Sequence, residues 1–93
     1  MTEAELLIEC KKGLNIPVTS THFDGVLTQK ILAVQGYAMN AGALASRLDS
    51  GLGVGLIVMG VADLWNLQGG EIKFSPAFHT ILTQIACASL VTE

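Results

Sequence analysis

Apolar residues recur at helical intervals through most of the chain and alternate only briefly, over Glu71–Phe74. Leu6, Leu7, Cys10 and Leu14 follow Thr2 and Glu5, whose spacing is that of a capping box. This predicts a first helix over about 3–12, with Gly13 as a left-handed stop. Pro17 pushes Ile16 out of helical geometry, and Thr19, Ser20 and Thr21 are hydroxyl residues able to cap the next helix. That second helix is expected over about 22–41, with Asp24 in the first turn where the macrodipole favours an acid. Phe23, Leu27, Ile31, Val34, Ala38 and Ala41 form its continuous core stripe. Leu32, Gly36 and Met39 make a second, smaller apolar face that a monomer would leave wet, and that face is the expected subunit contact.

Asn40 and Gly42 end this helix, and the following ALASRLD (43–49) has room for only a helical turn before Ser50 and Gly51 break it. The run SGLGVGLIVMGVADLWN (50–66) is apolar on every side. Taken as a helix over about 53–66, it puts Gly53, Ile57, Gly60 and Leu64 on one face and Val54, Val58, Val61 and Trp65 on another. A helix of that kind has to be buried. Its interior glycines 53, 55 and 60 cost roughly 2–3 kcal/mol against alanine, which makes sense where neighbouring backbones come close. LQGG (67–70) is a turn, and a short extended arm or hairpin is expected near 69–74. Ser75 and Pro76 are a helix start: the hydroxyl caps, and proline's missing N–H costs nothing in the first turn. The last helix, about 76–89, buries Phe78, Ile81, Leu82 and Ile85 and turns His79, Thr80, Thr83 and Gln84 outward, with Leu90 and Val91 fraying. The fold class is all-α: one small domain, residues 1–93, with four main helices. Its expected core anchors are Phe23, Leu27, Ile31, Ile57, Gly60, Trp65, Phe78 and Ile85.

Composition adds a surplus to this picture. Ninety-three residues make one small core, yet 51% of the chain is hydrophobic and only 14% charged, against about 25% charged in a typical soluble domain. Surplus apolar surface of this kind marks association. Net charge is −3 and the five basic residues are scattered, which argues against tight binding of phosphate backbones. No signal peptide is visible, and the chain is expected to start in the cytoplasm. The uncharged run between Asp49 and Asp63 spans roughly 20 Å as a helix, short of the ~30 Å hydrocarbon core, so no membrane crossing is expected.

Candidate chemistry is sparse. GLGVG (51–55) lacks the Lys-Ser/Thr ending of a phosphate loop and the strand and acidic partner of a dinucleotide fingerprint. His22 and Asp24 cannot converge as i and i+4 ligands would, and His79 and Cys87 diverge around their helix. Cys10 and Cys87 read as buried thiols, Arg47 as solvated or paired with Asp49, and Asp63 as paired with a lysine or arginine. No catalytic residue, cofactor or metal ligand is expected, and the chain is not expected to be an enzyme.

GVADLWN (60–66), followed closely by GEIKFSPAFHTILTQIA (70–86), resembles a pattern in tailed-phage head–tail connector proteins, also called adaptors or head-completion proteins. ECKKGLNI (9–16), a loop, then FDGVLTQKILAVQGYAMNAG (23–42) is similar to that family's opening. The resemblance covers nearly the whole chain. It implies a structural virion subunit that forms a ring, commonly of twelve copies, between the portal protein and the tail. Such a ring extends the DNA channel, completes the head and presents a platform to the next head-completion or tail protein. DNA would pass through without sequence-specific binding, eased by an acidic lining. Two alternatives stand beside it: a small dimeric helical adaptor or regulator that binds a partner helix in an apolar groove, and a membrane-active phage protein.

Overall fold

The computed structural model describes residues 2–65 and 74–92, with the side chains of the last helix described as far as Cys87. The fold is all-α. Helices α1 (Glu3–Gly13), α2 (Asp24–Asn40), α3 (Ala45–Leu48), α4 (Gly51–Trp65) and α5 (Pro76–Thr92) form a small bundle, with no strand among the described residues. The expected arm near 69–74 falls, apart from Phe74, outside the described residues.

Helix α1 is held at its start by the capping box: Thr2 Oγ1 accepts from the Glu5 N–H at 3.2 Å, and Glu5 Oε1 accepts from the Thr2 N–H at 3.0 Å. Its stop is not Gly13. The left-handed residue is Asn15, at φ 59°, and the Asn15 and Ile16 N–H groups return to the carbonyls of Lys12 and Lys11 as in a Schellman ending. Gly13 is needed for a different reason, since a Cβ there would lie 2.6 Å from Val58 Cγ1 on α4. Helix α2 closes the same way at Gly42, φ 110°, where the Ala43 N–H reaches Ala38 O at 3.0 Å.

Three boundaries differ from expectation. Helix α2 begins at Asp24 rather than near His22; Phe23 takes the cap position and supplies no side-chain hydrogen bond. Helix α4 begins at Gly51 because Ser50 acts as a cap rather than a break: its Oγ accepts from the Gly53 N–H at 3.1 Å and donates to Arg47 O at 2.6 Å. At the far end Ser75 Oγ accepts from the Phe78 N–H at 3.2 Å, and α5 continues through Leu90 and Val91 to Thr92.

Helix α4 is the centre of the bundle and packs against each of the other four. Leu56, Ile57 and Val61 are buried on it, and they meet Leu27, Ile31, Val34 and Ala38 of α2, Leu6 and Cys10 of α1, and Phe78, Leu82 and Ile85 of α5 in one core. Two of its three interior glycines explain that density. A Cβ on Gly53 would collide with the Leu48 backbone, and one on Gly60 would lie 2.7 Å from Phe78 Cε2 and 2.8 Å from Val34 Cγ1. Glycine lets α3, α2 and α5 close on α4 at the cost of helix propensity. The third, Gly55, meets nothing within 4 Å and is exposed, as are Gly51 and Leu52. The expectation that this helix is enclosed on every side is therefore corrected over its first half.

Candidate functional site

The groups able to do chemistry are dispersed. His22 and His79 are exposed on different helical ends, and among the described residues no three His, Cys, Asp or Glu side chains gather as a metal site. Cys10 is fully buried, and burial together with the nearby Glu9 carboxylate pushes its thiol up to about 11, so it stays protonated and unreactive at neutral pH. Cys87, expected to be buried, is exposed because α5 turns that position toward solvent. Asp63 accepts from the Ser75 N–H at 2.9 Å, so this carboxylate ties the end of α4 to the start of α5. A charge-assisted bond to an otherwise orphaned N–H is a structural use for an acid on an apolar helix.

One polar arrangement is not visible in the sequence pattern. Lys11 is only 4% exposed; its Nζ lies 2.8 Å from Asp24 Oδ1 and donates to Val18 O at 3.4 Å. The lysine thereby clips the 14–23 loop and the start of α2 onto α1. The available signal was its place between Cys10 and Leu14, on the side of the first helix that faces the core.

Two concave sites among the described residues are shallow. One, about 370 Å³, lies between α1, α2, α3 and α4 and is lined by Leu6, Gln35, Ser46, Asp49 and Val54. The other, about 310 Å³, is an α2–α5 groove lined by Tyr37, Ala41, His79, Leu82, Thr83 and Cys87. Beside it Phe74 stacks on Phe78 at 4.1 Å, and Tyr37 leans on Phe74 at 4.8 Å. Neither gathers a nucleophile, a base and an orienting group within bonding reach.

The expected association residues are exposed. Leu32 and Met39 are 52% and 47% exposed on the side of α2 turned away from Val34, and Gly36 between them has open space at its Cβ position. The expected core anchors Leu27, Ile31, Ile57, Gly60, Phe78 and Ile85 are buried, and Trp65 is half-buried against the core. Phe23 is a correction. It is 36% exposed because α2 starts one residue after it, and its ring covers Trp65 edge-on at 5.2 Å. Leu52 and Gly55 are also exposed on α4, which was not anticipated, and Met59 beside them is half-buried against the core. Neither stretch carries charge: no Asp, Glu, Lys or Arg occurs between Lys30 and Arg47 or between Asp49 and Asp63. Among the described residues no helix is long and apolar enough to cross a membrane. No family model, curated protein or solved structure matches this chain.

Proposed function

We propose that this chain is a structural subunit of virion assembly, one that joins copies of itself into a ring between the portal protein and the tail. The observation that carries the reading is the exposed, charge-free apolar face Leu32, Gly36 and Met39 of α2, with Leu52 and Gly55 exposed on α4, on a small bundle whose chemical groups are dispersed. Leu32, Gly36 and Met39 supply the subunit contact, and covering them removes from water the apolar surface that a single small core leaves over. The resemblance of residues 9–16, 23–42, 60–66 and 70–86 to head–tail connectors supplies the setting. In it the ring extends the DNA channel, completes the head and receives the next head-completion or tail protein. A chain of net charge −3 favours passage of duplex DNA over retention.

The test is reconstitution with the portal protein encoded in the same genome, viewed by electron microscopy. A ring of this chain seated on the portal supports the reading; a bare portal beside free monomer contradicts it. The α2–α5 groove favours a second reading, a dimeric adaptor holding a partner helix against Tyr37 and Leu82. That protein would stop at a dimer and bind a helical peptide in solution.

A further inference from the structure

We propose that α1 and the 14–23 loop form a strap that opens as a unit while α2, α4 and α5 stay packed, and that the Lys11–Asp24 pair is its fastening. Opening brings the Cys10 thiol, sealed in the closed chain, into contact with solvent.

The core beneath the strap closes through other elements. The atoms nearest a Cβ placed on Gly60 of α4 belong to Val34 of α2 and Phe78 of α5. Helix α2 buries Leu27, Ile31, Val34 and Ala38, whereas the apolar side chains that α1 fully buries are Leu6 and Cys10. An element with few buried apolar contacts is one that opens at a free energy below that of global unfolding.

The loop adds little apolar anchorage. Leu14 and Ile16 are half-buried at its start, whereas Pro17, Val18, Thr19, Thr21 and His22 are exposed. Its middle folds on itself in local turns, with the Ser20 N–H on Pro17 O at 2.9 Å and the Asp24 N–H on Thr21 O at 3.3 Å. The group that reaches across from α1 is Lys11. Its Nζ lies 2.8 Å from Asp24 Oδ1 and donates to Val18 O at 3.4 Å, and Asp24 Oδ1 is itself buried. One ammonium thus holds α1, the middle of the loop and the start of α2 together. Removing the carboxylate leaves that charge without its partner where water is excluded, a cost relieved when the strap opens. Cys10 directly precedes Lys11 in α1 and is fully buried, so the same opening uncovers it.

The experiment follows labelling of Cys10 by an aromatic disulfide reagent at one fixed pH, in the full chain carrying Cys87→Ser so that a single thiol remains. The labelling rate relative to that of the urea-unfolded chain gives the open fraction, and urea unfolding of the same chain gives the globally unfolded fraction. The open fraction is expected to exceed the unfolded fraction about tenfold or more, and Asp24→Ala is expected to raise it about tenfold further. Amide exchange at Val34 and Val61 is expected to report the unfolded fraction, because α2 and α4 stay packed. Lys11→Met, which keeps the volume and removes the buried charge, is expected to raise the open fraction less, and it decides the matter if Asp24→Ala does not fold. An open fraction equal to the unfolded fraction overturns the strap, as does exchange at Val34 and Val61 at the level of Cys10 opening. An open fraction that the deciding variant leaves unchanged overturns the pair as its fastening.

Discussion

Gly55 and Gly60 lie on the same helix less than two turns apart. A methyl group added at Gly60 meets Phe78 and Val34 within 3 Å, whereas one added at Gly55 meets nothing within 4 Å. Identical residues thus mark opposite conditions: a side of α4 closed by α2 and α5, and a side left open. The closed side accounts for the fold, because glycine admits neighbouring side chains to the helix axis and lets a short chain build one dense core. The open side has no such use inside the subunit. Its glycine costs the helix about 1 kcal/mol against alanine and gains no internal packing in return, which directs attention to contacts outside the chain.

The strongest way to break this comparison is to overfill the closed side. Gly60→Leu is expected to abolish cooperative folding, since the added side chain exceeds the space between Val34 and Phe78 and overpacking alone costs about 1–3 kcal/mol or more. Thermal unfolding by circular dichroism checks it, and a wild-type melting curve would show that α2 and α5 are not closed on α4. A smaller effect is expected at the polar clip. Lys11→Ala leaves the Asp24 carboxylate without its 2.8 Å partner and should cost about 2 kcal/mol, less than a fully buried pair would because Asp24 is one-third exposed. Lys11→Met, which fills the same volume, should cost less, with urea midpoints separating the two.

The smallest effect belongs to an exposed cap. The Thr2 N–H and hydroxyl both donate to Glu5, which holds its carboxyl below the ordinary glutamate value. Because the folded value is the depressed one, the charge stabilises α1 fully above the unfolded value, and that contribution disappears as pH falls through the folded value. Glu5→Gln should therefore be less stable than wild type at neutral pH and converge with it in acid. Parallel unfolding curves at several pH values would reveal it.

Where a residue's local chemistry has a single structural use, its role was legible in the sequence. Thr2 with Glu5 and Ser75 with Pro76 marked helix starts, and the four-and-three spacing of Leu27, Ile31, Val34 and Ala38 marked a buried stripe. Phe23 continues that spacing backward by four, but the period says nothing about where the helix begins, and a start at Asp24 leaves the ring at the rim. Lys11 was missed because a charged side chain reads as solvated until a partner is placed beside it, and Asp24 comes from another helix. Gly13 was expected as a left-handed stop, yet its use is a close approach to Val58 that exists only after α1 meets α4. The candidate surface was half legible for the same reason. Leu32, Gly36 and Met39 stood out against a polar background, whereas Leu52 and Gly55 sat within a helix apolar on every side, where periodicity carries no information about which side is open.

The most direct measurement is the melting temperature of Gly55→Ala and Gly60→Ala in dilute solution. Alanine at Gly55 is expected to raise it by about 4–8 °C, the equivalent of the ~1 kcal/mol helix preference regained. Alanine at Gly60 is expected to lower it by a comparable or larger amount, because Val34 and Phe78 must move to admit the methyl group. Shifts of the same sign at both positions would contradict the division of α4 into a closed side and an open one.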